Sequence, residues 1–391
     1  MNVDDARRRI QELRHLNAFI SLTDETGSGP VIAVKDLVDV RGTVTTGGGT
    51  FLPAVPAAED APCVQKTRSH GVVVVGKANL HEFAYGPTGE NPHYGNIGNF
   101  HDATRISGGS SGGSAVAVAA GMCDWAIGTD TGGSIRIPAA LNGVVGFKPT
   151  RGVVSTERVI ALSPTLDTVG PIAPNVTTAA RALEMMTDLK GLVPASVKTP
   201  ERFRLAIPAG WFDDLDATTS AAWHRVAAGL PVIPFPTHQE MSAAQVVILQ
   251  CEATFGHQKW MELYAGKYGA DVLPRLQSGF AHRAVDYLHA RAEERRLTQA
   301  AMAAMADIDA LVLPVAPVIA PPIGNAEPLE RLTRLTKGFS LTGQPVINIP
   351  VPSDGMPVGI QVVGHHGEEA RLVEVALALE AAWKAIPIAT S

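Results

Sequence analysis

Three copies of Gly-Gly-Ser fall inside one stretch, residues 107–150, and they constrain this chain more than any other feature. The stretch reads SGGSSGGSAVAVAAGMCDWAIGTDTGGSIRIPAALNGVVGFKPT. Gly108-Gly109-Ser110 runs through Gly112-Gly113 into an alanine-valine helix pattern over 114–120. Gly132-Gly133-Ser134 follows an apolar strand pattern over 125–127 and leads into Ile135-Arg136-Ile137-Pro138, the expected start of a helix. Glycine admits close approaches and backbone conformations barred to other residues. A serine on such a turn is either a linker residue or a hydroxyl held open to a substrate.

The rest of the chain decides what surrounds that stretch. Apolar, β-branched runs predict strands over 30–40, 72–75, 143–147, 203–207, 232–235, 311–314, 346–349 and 358–363. Helical periodicity predicts helices over 4–18, 61–69, 176–189, 218–230, 239–306 and 368–385. Strands alternating with helices imply an α/β fold, a mixed central sheet covered by helices on both faces. The 391 residues read as a single domain, with a variable, mainly helical cap or insertion at about 190–310.

Composition narrows the function. Hydrophobic residues make up 46% and charged residues 18%, enough for a large core and too apolar for disorder. A net charge of −6 without a basic run beyond Arg7-Arg8-Arg9 argues against a nucleic-acid surface. The apolar stretch 310–320 is interrupted by Pro314 and Pro317 and is too short to span a bilayer. Three cysteines without paired spacing, Cys63, Cys123 and Cys251, fit reduced thiols. Together with an amphipathic, charged N-terminus, these features predict a cytoplasmic protein without membrane contact.

Ser134 carries the sharpest chemical expectation. A strand, then Gly-Gly-Ser, then a helix start exposes a hydroxyl beside successive backbone N–H groups, donors suited to an oxyanion. Such a hydroxyl needs a base. The only histidines near the block are His93 and His101; the block itself offers Ser110, and a distant strand offers Lys35. A buried lysine loses its proton more readily and serves as a base when neutral. On residue chemistry alone, however, a lone lysine in an apolar run is also an edge-strand residue reaching solvent, and a Gly/Ser cluster is also a flexible loop. Asp130-Thr131-Gly132 lacks the second aspartate that an acid-dyad protease requires. GGSSGGS lacks the Lys-Ser/Thr ending of a phosphate loop. His365-His366-Gly367-Glu368-Glu369 has no metalloprotease spacing and reads as a solvated helix start, so no metal or other cofactor is expected.

GGSSGGSAVAVAAG followed by GTDTGGSIRIPAALNGVVGFKPT resembles the signature of the amidase signature family. The likeness extends through Ala33-Val34-Lys35-Asp36 and Lys77-Ala78-Asn79-Leu80-His81-Glu82-Phe83, and more weakly through Leu311-Val312-Leu313-Pro314 and Thr342-Gly343-Gln344-Pro345. It covers about residues 30–190 and 310–365. The resemblance implies a Ser-Ser-Lys triad: Ser134 as nucleophile, Ser110 as bridging serine after a cis peptide bond, Lys35 as base. It implies an oxyanion hole at the N–H groups of Thr131, Gly132 and Gly133, and an acyl pocket lined by Ala84. Arg136 and Asp130, beside the nucleophile, are expected to be structural.

The implied activity is hydrolysis of a small-molecule amide, releasing ammonia or an amine through an acyl-enzyme, with a homodimer as an open option. The alternative within the family is the glutamine-hydrolysing subunit of a tRNA-dependent amidotransferase. The region Cys251-Glu252-Ala253-Thr254-Phe255-Gly256-His257 does not carry the Tyr-Asp-Gly pattern usual in that subunit, which favours the stand-alone hydrolase. A non-catalytic binding protein on the same fold is disfavoured because Lys35, Ser110 and Ser134 are all present. Lys35 lies near the start of the chain, so the helices that precede the base in many family members are expected to be largely missing. Specificity is expected from the loops and from residues 190–310.

Overall fold

The computed structural model describes residues 1–325 and 329–387. In chain order the elements begin with helix α1 (Val3–Glu12), strands β1 (Phe19–Leu22) and β2 (Val31–Lys35), α2 (Pro62–Arg68), β3 (Val73–Ala78), α3 (Gly112–Ala119) and β4 (Trp125–Asp130). They continue with α4 (Arg136–Leu141), β5 (Val145–Lys148), β6 (Thr168–Ala173), α5 (Val176–Met186), β7 (Leu205–Pro208), α6 (Ala217–Ala227) and β8 (Val232–Ile233). Last come α7 (His238–Tyr264), α8 (Val272–Gln277), α9 (Ala284–Ala304), β9 (Ala310–Pro314), α10 (Leu329–Thr342), β10 (Val346–Val351), β11 (Val358–Val363) and α11 (Glu369–Lys384).

The strands form one eleven-stranded sheet in the order β1-β3-β2-β4-β6-β5-β10-β11-β9-β7-β8. It is mixed: β2 runs parallel to both β3 and β4, whereas β4 pairs antiparallel with β6 and β10 with β11. The expected α/β architecture is therefore the observed one. Alternation along the strands sorts side chains to two faces. Ile32 and Val34 join one core with Trp125, Ile127 and residues of α5 and α11. Val31 and Ala33 join the opposite core with α1, α3 and Ala126. Every residue of β2 is buried, so Lys35 lies at the end of an interior strand and not at a sheet edge.

Some elements escape sequence periodicity. β1, β6 and α10 are absent from the expected pattern: β1 and β6 are short or interrupted by Gly170 and Pro171, whereas α10 is an amphipathic helix whose period the expected pattern leaves out. Within residues 190–310, β7 and β8 extend the sheet at its far edge, and helical structure concentrates in α7, α8 and α9. α7 packs closely against both α9 and α10.

The parallel register matters most. Ala33 and Val34 of β2 lie opposite Ala126 and Ile127 of β4. Both strands therefore end on the same side, which brings Lys35 beside Thr129 and the turn that follows β4. Ligands of open α/β sheets bind beyond such carboxyl ends.

Candidate active site

Lys35 is wholly buried, and its Nζ donates to Ser110 Oγ at 2.7 Å and to Thr129 Oγ1 at 2.7 Å. Burial drives its pKa down, the negative charges of Asp130 and then Asp167 act in the opposite direction, and the balance lies at about 7. A neutral lysine is therefore accessible near physiological pH. Ser110 follows a cis peptide bond with Gly109, and its carbonyl accepts from His81 N–H at 3.1 Å. Gly109 is packed so closely that an added Cβ would meet Gly89 N at 2.8 Å and Gly86 O at 2.9 Å. No other residue fits there.

The serines of the block are not equivalent. Ser111 Oγ donates to Thr129 O at 3.1 Å and accepts from Thr129 N–H at 3.2 Å, tying the loop to β4. Ser114 Oγ donates to Ile127 O at 3.0 Å from the first turn of α3. Ser111 N–H donates to Ser134 O at 3.2 Å, joining the two Gly-Gly-Ser turns. Ser134 is half-buried on the wall of a cleft, and its Oγ has no hydrogen-bond partner among the described residues.

Asp130 shapes the turn that carries Ser134. Its carboxylate accepts from Arg136 Nε and Nη2, both at 2.9 Å, from Gly133 N–H at 2.8 Å and from Ile135 N–H at 3.2 Å. Burial pushes the carboxyl upward in pKa, but Arg136, Lys148 and the backbone donor outweigh it and hold it at about 2. Arg136 is fully buried and also donates to Thr336 O, Gln361 Oε1 and Ser340 Oγ. Two more side chains hold the turn by its carbonyls: Gln245 Nε2 donates to Thr131 O at 3.1 Å, and Thr336 Oγ1 donates to Gly132 O at 2.5 Å. Thr131 Oγ1 donates to Asp167 Oδ1 at 2.5 Å, while Asp167 Oδ2 accepts from Leu162 N–H and Ser163 N–H. Burial raises the Asp167 pKa to about 6, against the pull of these donors.

The backbone donors expected for an oxyanion differ in their engagement. Gly133 N–H is engaged by Asp130. The N–H groups of Thr131, Gly132 and Ser134 have no acceptor among the described residues. Gly133 adopts φ 132°, and an added Cβ would meet Thr336 Oγ1 at 2.3 Å, so the turn requires glycine.

Thr131, Gly132 and Ser134 line a cleft of about 290 Å³ together with Ala84. Ala84 has φ 61°, an uncommon conformation for a residue with a side chain, and its N–H donates to His81 O at 2.9 Å. Leu162, Val246 and Leu249 make the far wall apolar, and Arg275 and Lys337 bring two cations to it. Thr129, Asp167, Gln245, Thr336 and Lys337 were not singled out by sequence, since each reaches the site from a separate segment. The His365–Glu369 group is spent on structure: His365 Nε2 bonds Ile308 O, His366 Nε2 bonds Thr342 O, and Glu369 accepts from Thr150 N–H. Among the described residues no group of three or more His, Cys, Asp or Glu side chains is arranged to hold a metal, and no helix is long and apolar enough to cross a membrane.

Known proteins resemble this chain in sequence and fold over most of its length. The sequence model of the amidase family matches residues 3–373. The chain is 34% identical to AtzE of Pseudomonas sp. (strain ADP), a component of 1-carboxybiuret hydrolase, over 86% of this chain and 80% of that protein. It is 31% identical to a glutamyl-tRNA(Gln) amidotransferase subunit of Cupriavidus necator, over 96% of this chain and 91% of that protein. Its fold superposes on a crystal structure described as an amidase with a TM-score of 0.91 and 33% identity, covering 97% of this chain and 95% of the other. Sequence and fold agree over nearly the full length: the chain belongs to the amidase signature family and is an amidase, a hydrolase of C–N amide bonds.

Proposed function

We propose that this amidase cleaves small carboxamides as a stand-alone hydrolase, through Ser134, Ser110 and Lys35 and an acyl-enzyme intermediate. The observation that carries the reading is the 2.7 Å contact between the buried Lys35 Nζ and Ser110 Oγ, on a loop that the next residue, Ser111, ties to Ser134 O at the cleft. With a pKa brought down to about 7, Lys35 is substantially neutral at slightly alkaline pH and accepts a proton from Ser110. Ser110 in turn takes the proton of Ser134 as Ser134 Oγ swings onto it and attacks the carbonyl carbon. The oxyanion is held by the N–H groups of Gly132 and Ser134, with Thr131 at the head of the same turn. The proton returns along the chain to the departing amine. Water then repeats the sequence on the acyl-enzyme, releasing the acid.

Asp130, Arg136, Gln245, Thr336 and Asp167 fix the turn, so that its donors need no reorganisation during the reaction. Ala84 forms part of the wall against which the acyl group rests.

A fluorophosphonate probe tests the assignment directly. It is expected to label Ser134 in the wild-type enzyme, to label Ser134→Ala not at all, and to label Lys35→Ala far more slowly. Ammonia release from a panel of aliphatic, aryl and ureide amides should vanish in Ser134→Ala. Undiminished labelling or turnover in Ser134→Ala sinks the reading.

A second reading, in which the chain is a glutamine-hydrolysing component of an amidotransferase, is favoured by the likeness to the Cupriavidus necator protein. It predicts that glutamine is the preferred amide and that turnover rises when a partner protein is present. The stand-alone reading predicts full turnover by the purified chain.

A further inference from the structure

Two cations line the cleft, and their situations differ. Arg275 is committed: Nη1 donates to Tyr85 O at 2.5 Å and pairs with Asp271 Oδ2 at 3.0 Å. Lys337, on α10, is half-buried and has no hydrogen bond or ion pair among the described residues. Its stem crosses the oxyanion turn, since a Cβ added to Gly132 would stand 3.9 Å from Lys337 Cγ. Burial lowers its pKa, with Glu330 acting in the opposite direction. Glu330 lies on the same helix at the exposed end of the cleft, where water screens it, and makes no ion pair with Lys337 among the described residues.

An ammonium drawn partly out of water beside apolar side chains, with no acceptor, is costly unless something supplies one. Nothing in the scaffold needs it. The side chains that hold the turn are Asp130, Arg136, Gln245, Thr336 and Asp167, and each has its own partners. Leu162, Val246, Leu249 and Ile137 of the same cleft offer an anion no donor, and the other cation there, Arg275, is already paired with Asp271.

We infer that Lys337 is the specificity-determining residue of the cleft and that the substrates are short amides bearing a carboxylate, which pairs with its ammonium while the carboxamide lies over Ser134. The inference deepens the hydrolase reading by naming the substrate class, and rests on it for the position of the carboxamide. Lys337 Cγ stands beside the turn, and the ammonium is three bonds beyond it, so a short substrate chain is enough to bring a carboxylate from the scissile carbonyl to the ammonium.

Binding to the Ser134→Ala protein separates this inference from the chemistry. The probes are succinamate and glutaramate, each against the uncharged amide in which an isopropyl group replaces the carboxylate. Calorimetric titration should give at least about tenfold tighter binding for one acid than for its isostere, the range expected of a charge-assisted hydrogen bond. Ser134→Ala/Lys337→Met should reduce that ratio to near one, and Ser134→Ala/Lys337→Arg should restore most of it. In the wild-type enzyme the acid preference should appear mainly in KM, and Lys337→Met should raise KM for the acid more than it lowers kcat.

Equal binding of acid and isostere at both lengths overturns the inference. So does a preference that survives Lys337→Met. An equal loss of kcat on acid and neutral amides also overturns it, since that outcome would make Lys337 part of the oxyanion site. Failure of the triad reading looks different: Ser134 escapes the fluorophosphonate probe while the acid preference in binding stands.

Discussion

The acid limb of the pH–rate profile is the most direct consequence of the buried lysine. In the proposed mechanism Lys35 acts only when neutral, and its pKa lies at about 7 because burial outweighs Asp130 and Asp167. Protonation therefore removes activity as pH falls. With an amide that does not itself titrate, kcat/KM should rise with unit slope to about pH 7 and then level. At pH 5 it should stand at roughly 1% of the plateau, tenfold lost per pH unit below the pKa. Continuous detection of released ammonia across pH 5–9 gives the curve. Asp167→Asn supplies the sign test. It removes a negative charge that helps keep the proton on Lys35, so the limb should move to lower pH, whatever happens to the plateau. Folding follows the same linkage. The folded pKa lies below the ordinary 10.5, so between about pH 7 and 10.5 the unfolded chain binds the extra proton. Wild type should therefore gain stability relative to Lys35→Met as pH rises through that window, by at most roughly 5 kcal/mol. A flat profile from pH 5 to 7, a limb near pH 10, or an upward shift in Asp167→Asn refutes the assignment of Lys35 as the base.

Three further substitutions probe the scaffold. Asp130→Ala strands the buried Arg136 and removes the acceptor of Gly133 and Ile135; urea denaturation should show a loss of about 3–5 kcal/mol. Gly133→Ala forces a Cβ into Thr336 Oγ1 and displaces the turn, and kcat should fall at least about a hundredfold while the fold, by circular dichroism, persists. Thr129→Val deletes an acceptor of Lys35 Nζ that favours the charged amine, so the acid limb should move to lower pH in ammonia-release assays.

The strands around the site were legible because buried β-branched runs such as Val31–Lys35 carry their own periodicity-free signature. The pairing of Lys35 with Ser110 was not legible from spacing. Seventy-five residues separate them, and what joins them is the parallel register of β2 on β4 together with the Ser111 bonds that tie the Ser110 loop to Thr129, which no local pattern encodes. Only the likeness to a family supplied that link. Lys35 also shows why a residue type cannot be read without its neighbours: the same lysine on an edge strand would reach solvent, whereas between β3 and β4 it is stripped of water and its proton becomes available.

α10 marks the same limit from the other direction. Its amphipathic period marks a helix but not what the helix touches: Thr336 and Ser340 grip the turn and its arginine, and Lys337 lines the cleft beside them. Their positions differ by three and four residues, or by one, so a single face of one helix serves both the scaffold and the substrate. This has a consequence for how specificity can vary. Thr336 and Ser340 are constrained by Gly132, Asp130 and Arg136, and altering them disturbs the turn. Lys337 is bound by none of these contacts. Its side chain is free to change without moving the turn that carries the proposed oxyanion donors, which is the arrangement expected where one rigid frame has to accept amides of different charge.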